Sequence, residues 1–182
     1  QYETLQAAVD AVQGSGTIEL TSSIALSDQV TIDSGKTIIL DMNGETLSIG
    51  FSDSSKNLIV NNGTLTITGD GTFDATEATS YKGFINNYGT LTVENGTFQI
   101  ADKAMTVHLR NQDGGKAVIN GGTFSGGATI VRSFEGSNTT ITGGSFTNSV
   151  YPAVDVNGET LITGGIFTNT SCSRCDSQNW GY

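Results

Sequence analysis

The chain has 182 residues, with 18 acidic against 8 basic side chains, one histidine and a formal net charge of −10. That balance works against a nucleic acid or an anionic membrane as partner, and no stretch reaches the roughly 20 apolar residues of a membrane-spanning helix. The composition, which includes 24 glycines, shows no shift along the chain, so residues 1–182 read as one domain without a linker.

The first predicted element is a helix. Residues Tyr2 to Val12 put Leu5, Ala8, Val9 and Val12 on one face, which makes 1–13 a short capping helix. Gly14-Ser-Gly16 then breaks into strands around Thr17–Leu20, Val30–Ile32, Thr37–Leu40 and Thr46–Ile49, with Asp41-Met-Asn-Gly44 as a turn. These form irregular first coils over 17–60.

From 61 to 169 the chain repeats itself. Five units run Ile67-Thr-Gly-Asp-Gly-Thr-Phe73, Val93-Glu-Asn-Gly-Thr-Phe98, Ile119-Asn-Gly-Gly-Thr-Phe124, Ile141-Thr-Gly-Gly-Ser-Phe146 and Ile162-Thr-Gly-Gly-Ile-Phe167. Their phenylalanines are 25, 26, 22 and 21 residues apart, a solenoid period. Alternation of Thr with Ile, Leu or Val, punctuated by Asn-Gly and Gly-Gly, is strand and turn chemistry, and no Leu-x-x-Leu-x-Leu frame is present. The fold class is therefore all-β: a single-stranded parallel β-helix with three short strands per coil and a capping α-helix at its start. Period two sends Leu65 and Ile67 inward, and stacked coils gather Phe73, Phe98, Phe124, Phe146 and Phe167 into one internal file.

The opening Leu5-Gln-Ala-Ala-Val-Asp10, with Gly16-Thr-Ile-Glu-Leu20, Val30-Thr-Ile32, Gly35-Lys-Thr-Ile-Ile-Leu-Asp41 and Asn43-Gly-Glu-Thr-Leu47, resembles the first coils of the pectate-lyase-like right-handed β-helix superfamily. The Gly-Gly-Thr-Phe repeats are similar to those of bacterial surface and secreted proteins and of bacteriophage fibres. The resemblance covers essentially the whole chain and implies right-handed coils. It leaves function open, because that superfamily holds lyases, hydrolases, epimerases, adhesins and inert stalks.

Enzymatic readings find little support in the residues. Asp41, Asp53, Asp70, Asp74, Asp102 and Asp113 fall mostly in turns, where Asp is an ordinary turn former. No Asn-Thr-Asp, Asp-Asp, Gly-His-Gly or Arg-Ile-Lys set of the polygalacturonase kind occurs, and no carboxylate cluster beside an Arg-x-Pro-x-x-Arg segment as in pectate lyases. His108 is read as a surface strand residue. Cys172 and Cys175 lie in the tail, 170–182, with too few ligands nearby for zinc. They form a local disulfide, which an exported setting favours, or remain two free thiols. Neither a metal nor a cofactor is expected.

The sharpest constellation is outward. Aligning Ile85-Asn86, Leu109-Arg110, Val131-Arg132 and Val154-Asp155 predicts a surface ladder of Asn86, Arg110, Arg132 and Asp155, with rungs about 4.8 Å apart. Arginine forks suit carboxylates and sugar hydroxyls, and Tyr81, Tyr88 or Tyr151 could serve as stacking platforms for a glycan. The competing reading is a plain ion pair between Arg132 and Asp155. Threonines at 64, 66, 90 and 92 begin a flat array of the kind that binds ice. Lys116, Val118, Asn138, Glu159 and Leu161 interrupt it.

The expected function is a secreted or surface-displayed structural or adhesive module that binds a polysaccharide or cell-surface glycan. Alternatives are a bacteriophage fibre, decoration or filament-forming subunit on a virion, assembling as a trimer or an end-to-end stack, and a polysaccharide lyase or glycoside hydrolase. A start at Gln1 fits export after removal of a signal, or an excised segment of something longer. Asn62, Asn95, Asn138 and Asn169 head Asn-x-Thr/Ser sequons, relevant only to a eukaryotic secretory route.

Overall fold

The computed structural model describes residues 2–51, 53, 55–77, 83–101, 106–148 and 151–169. It opens with α1 (Leu5–Ala11), shorter than the predicted span, whose N-cap Thr4 accepts a hydrogen bond from the Ala7 N–H at 3.1 Å. Among the described residues, everything after it is strand and turn.

Among the described residues, twenty strands form three parallel sheets. The first holds β1 (Ser15–Glu19), β4 (Thr37–Asp41), β7 (Thr64–Thr68), β10 (Thr90–Val93), β13 (Lys116–Ile119), β16 (Asn138–Ile141) and β19 (Glu159–Ile162). The second holds β2 (Ile24–Leu26), β5 (Thr46–Ile49), β8 (Thr72–Ala75), β11 (Thr97–Ile100), β14 (Thr123–Ser125), β17 (Ser145–Asn148) and β20 (Ile166–Asn169). The third runs β3 (Val30–Ile32), β6 (Ile59–Asn61), β9 (Ile85–Asn87), β12 (Val107–Asn111), β15 (Thr129–Ser133) and β18 (Val154–Val156). Each coil takes one strand from each sheet in turn, giving a right-handed parallel β-solenoid of about six turns. Two strands escaped the sequence reading, β2 and β6, each of three residues.

The register explains the repeat. Ile24, Leu47, Phe73, Phe98, Phe124, Phe146 and Phe167 pair in succession. Successive phenylalanine rings stack with centroids 4.6, 4.5, 5.0 and 4.7 Å apart and planes within 9° of parallel. The glycine two residues before the last four of these rings has a job in that geometry. Gly96, Gly122, Gly144 and Gly165 adopt φ of 111°, 99°, 102° and 107°, a region closed to most L side chains. A Cβ there would also press within 3.1–3.4 Å of the edge of the following ring.

Inside the third sheet's corner lies a polar file that the sequence reading did not foresee. Asn61, Asn87, Asn111 and Ser133 stand in register and are wholly buried. Asn61 Nδ2 donates to Asn87 Oδ1 at 2.7 Å and Asn87 Nδ2 to Asn111 Oδ1 at 2.8 Å. Each amide also donates to a carbonyl of the first sheet: Thr90 of β10, Lys116 of β13 and Asn138 of β16, at 2.9, 3.0 and 2.9 Å.

His108 is not a surface residue. It is 1% exposed, lies between Phe84 and Phe124 at ring distances of 5.4 and 5.9 Å, and its Nε2 is 3.2 Å from the Gly126 carbonyl. The corner leading into the third sheet turns two consecutive side chains inward, as at Leu58-Ile59, Phe84-Ile85 and Ile130-Val131, all buried. The period-two rule therefore fails for the first of each pair.

Candidate functional site

The third sheet presents its outer face to solvent, and its register sets what that face displays. Asn86 pairs with Arg110, Arg110 with Arg132, and Arg132 with Asp155; Thr31 and Val60 continue the file toward the first coil. The four polar residues share one row because each follows an inward residue, Ile85, Leu109, Val131 or Val154.

These four side chains divide into separate partnerships. Arg132 Nε donates to Asp155 Oδ2 at 2.8 Å, with both side chains about a third to a quarter exposed (33% and 24%). The pair neutralises itself and contributes well under about 1 kcal/mol to stability. Asn86 turns away from the arginines: its Oδ1 accepts from Gln112 Nε2 at 2.5 Å, and its Nδ2 donates to the Tyr88 hydroxyl at 3.3 Å. Arg110 has no acidic partner among the described residues. Its guanidinium carbon sits 5.4 Å from the centre of the Phe134 ring, within cation–π range, and its Cγ and Cδ lie over Gly83. Burial first, and then the like charge of Arg132, hold the Arg110 guanidinium below its ordinary pKa.

A second row flanks the first. Tyr88, Gln112 and Phe134 each come directly after a strand-ending buried residue, Asn87, Asn111 or Ser133. They occupy equivalent places on three consecutive coils, and Tyr88 is 47% exposed. Phe134 and Gln112 were missed in the sequence because they lie one residue beyond their strands, where a corner rather than an alternation decides direction.

Of the other predicted platforms, Tyr151 precedes β18 and so stands at the opposite edge of the sheet from Tyr88, while Tyr81 lies outside the described residues. Cys172, Cys175 and Asp102 lie outside them as well. Three of the turn aspartates serve the backbone: Asp41, Asp53 and Asp74 accept the N–H two residues on, at 3.0, 2.9 and 2.9 Å. Asp70 accepts from Asn95 Nδ2 at 3.2 Å. On the first sheet's outer face, Thr66 and Thr92 align with Ile39, Val118, Thr140 and Leu161, so the threonine array is broken by aliphatic residues on both sides.

No protein family, no characterised protein and no solved structure matches the chain. The outer face of the third sheet stands on its own geometry. Among the described residues no helix is long and apolar enough to cross a membrane, and no three His, Cys, Asp or Glu side chains group as metal ligands.

Proposed function

We propose that this chain is a secreted or surface-displayed structural module that adheres to glycans through the outer face of its third sheet. One observation carries the reading: two parallel rows, Asn86–Arg110–Arg132 and Tyr88–Gln112–Phe134, run side by side across three coils. Rows spaced about 4.8 Å per rung offer planar hydrogen-bonding forks beside aromatic faces, the pairing that sugars need for their hydroxyls and their apolar ring faces. A solenoid suits display, since each coil rests on its neighbours and stacking extends the same face along the axis.

A glycan array probed with the purified chain and with the Arg110→Ala/Arg132→Ala variant tests this reading. The expected result is binding to a restricted set of sugars, reduced at least about tenfold in the variant, since hydrogen bonds to a charged group are worth roughly 1.5–3 kcal/mol each. Binding by the variant at the level of the parent would move recognition off this face.

A second reading, a fibre or filament subunit of the kind found on virions, draws on the last described coil. Ile162 and Phe167 extend files whose previous members, Ile141 and Phe146, are fully buried, yet they are 43% and 39% exposed. That exposure favours end-on contact with a further turn of solenoid. Light scattering across a concentration series separates the two readings: a monomer at all concentrations leaves adhesion alone, whereas growth with concentration supports assembly.

A further inference from the structure

We propose that Arg110 is the receptor for one anionic group on an acidic sugar chain, carboxylated or sulfated, that lies along the outer face of the third sheet. This deepens the glycan reading above and rests on it.

The argument begins with charge. Arg132 and Asp155 cancel each other at 2.8 Å, and the Asn86 amide is engaged by Gln112 and Tyr88. Within these rows, Arg110 is thus left as one uncompensated positive charge, in a chain whose net charge is −10. The net charge opposes a polyanion at long range, so the attraction is local to Arg110, and an ion pair there is worth most when the cation is partly desolvated. Arg110 meets that condition, since its Nε is buried without a partner.

The geometry then says which part of Arg110 is available. Among the described residues its two Nη nitrogens have no hydrogen-bond partner and are not fully buried, which leaves their four N–H groups for a ligand. The group is held in place from two sides. Phe134 lies 5.4 Å from the guanidinium carbon, and a Cβ on Gly83 would come within 3.3 Å of Arg110 Cδ, so the side chain rests on a surface that only glycine leaves open. A fork held this way loses little freedom on binding. The ligand is a sugar rather than a peptide because the receptor is flanked by Tyr88 and Gln112, an exposed ring and a hydrogen-bonding amide on adjacent rungs.

The test measures binding of the intact chain to a carboxylated polysaccharide, a sulfated one, the carboxyl-reduced form of the first, and poly-glutamate. Three variants accompany it: Arg110→Gln, Arg110→Lys and, on the outer face of the first sheet, Lys116→Gln, each checked for an unchanged melting transition. Arg110→Gln is expected to lose about tenfold to a hundredfold in affinity for the acidic chains, with Arg110→Lys retaining part of it. Removing the exposed Lys116 cation from the first sheet should change affinity less than about threefold, because its charge is screened at that distance. Reducing the ligand's carboxyl groups should match the Arg110→Gln loss, and combining the two should cost no more than either alone, the signature of one shared contact. Equal binding of the acidic and reduced chains would overturn the proposal while leaving glycan adhesion standing. Equal binding of poly-glutamate would overturn the choice of a sugar, and binding to none of the sugar chains would remove both the proposal and the reading beneath it.

Discussion

His108 shows what a single residue can do in a file. On neighbouring coils its place is taken by Phe84 and Ile130, each one residue before the paired Ile85 and Val131, so an imidazole stands where its neighbours are apolar. Its Nε2–H donates to the Gly126 carbonyl, which leaves Nδ1 as a buried acceptor without a donor. Burial is the main cause that pushes its pKa from 6.5 down to about 4. A depressed histidine pKa means that the folded state wants the neutral form, so the stability it allows is complete above pH 6.5. That stability drains away as pH falls from 6.5 toward 4, because the unfolded chain takes up the proton first, and the loss levels off below the folded value. The expected loss by pH 4.5 is about 2–3 kcal/mol. Denaturant titrations at pH 7.5 and pH 4.5 on the parent and on His108→Leu should show a gap for the parent that shrinks by that amount in the variant. An equal acid loss in both would place the sensitivity elsewhere. Replacing the outward Arg132, by contrast, should leave this pH dependence unchanged.

At the scale of the element, the buried asparagine ladder joins the corners of successive coils. Asn87 is its middle member: it accepts from Asn61, donates to Asn111, and reaches the Lys116 carbonyl one coil on. Amide ladders of this kind are favourable only while every member is satisfied. Asn87→Ala leaves donors and acceptors unpaired on both neighbours and is expected to cost about 2–4 kcal/mol, read as a lower midpoint in chemical denaturation with an unchanged slope. A cost below about 0.5 kcal/mol would mean that water replaces the amide freely. The ladder also marks where sequence reading stops. Phe73 to Phe167 declare their file because an aromatic in a Thr- and Gly-rich strand has one sensible direction. Asn61, Asn87 and Asn111 recur at spacings of 26 and 24 residues, the same period, but an asparagine near a glycine reads first as a turn former. Alignment by inward neighbours is enough to put Asn86, Arg110, Arg132 and Asp155 in one row. It says nothing of Phe134, which reaches Arg110 around a corner, nor of His108, whose corner turns two side chains inward in succession.

At the scale of the whole molecule, α1 covers the first coil. A seven-residue helix is too short to persist alone in water, and three contacts hold this one against the first coil. The Gln6 side chain imitates a strand: its Oε1 accepts the Thr31 N–H at 2.7 Å and its Nε2 donates to the Thr31 carbonyl at 3.1 Å, satisfying the open edge of β3. Lys36 Nζ donates to the carbonyls of Val9, Asp10 and Val12 at 2.9, 3.1 and 2.8 Å, closing the helix's C-terminal end. Leu5, Ala8 and Val9 are buried beneath. An uncovered edge of parallel strands is a template for another chain, so the cap should govern association at this end as well as stability. Gln6→Ala with Lys36→Met removes both polar tethers and leaves the apolar face intact. It is expected to cost about 1–3 kcal/mol, several degrees in melting temperature, and to produce species that grow with concentration in size-exclusion chromatography with light scattering. Ligand binding at the third sheet's outer face should stay unchanged, because Asn86 and Arg110 stand two and three coils away from β3. If the variant melts earlier but elutes as the parent does at every concentration, α1 stabilises the first coil without guarding its edge, and resistance to end-on pairing must come from the charge of the chain, which raising the salt concentration would then abolish.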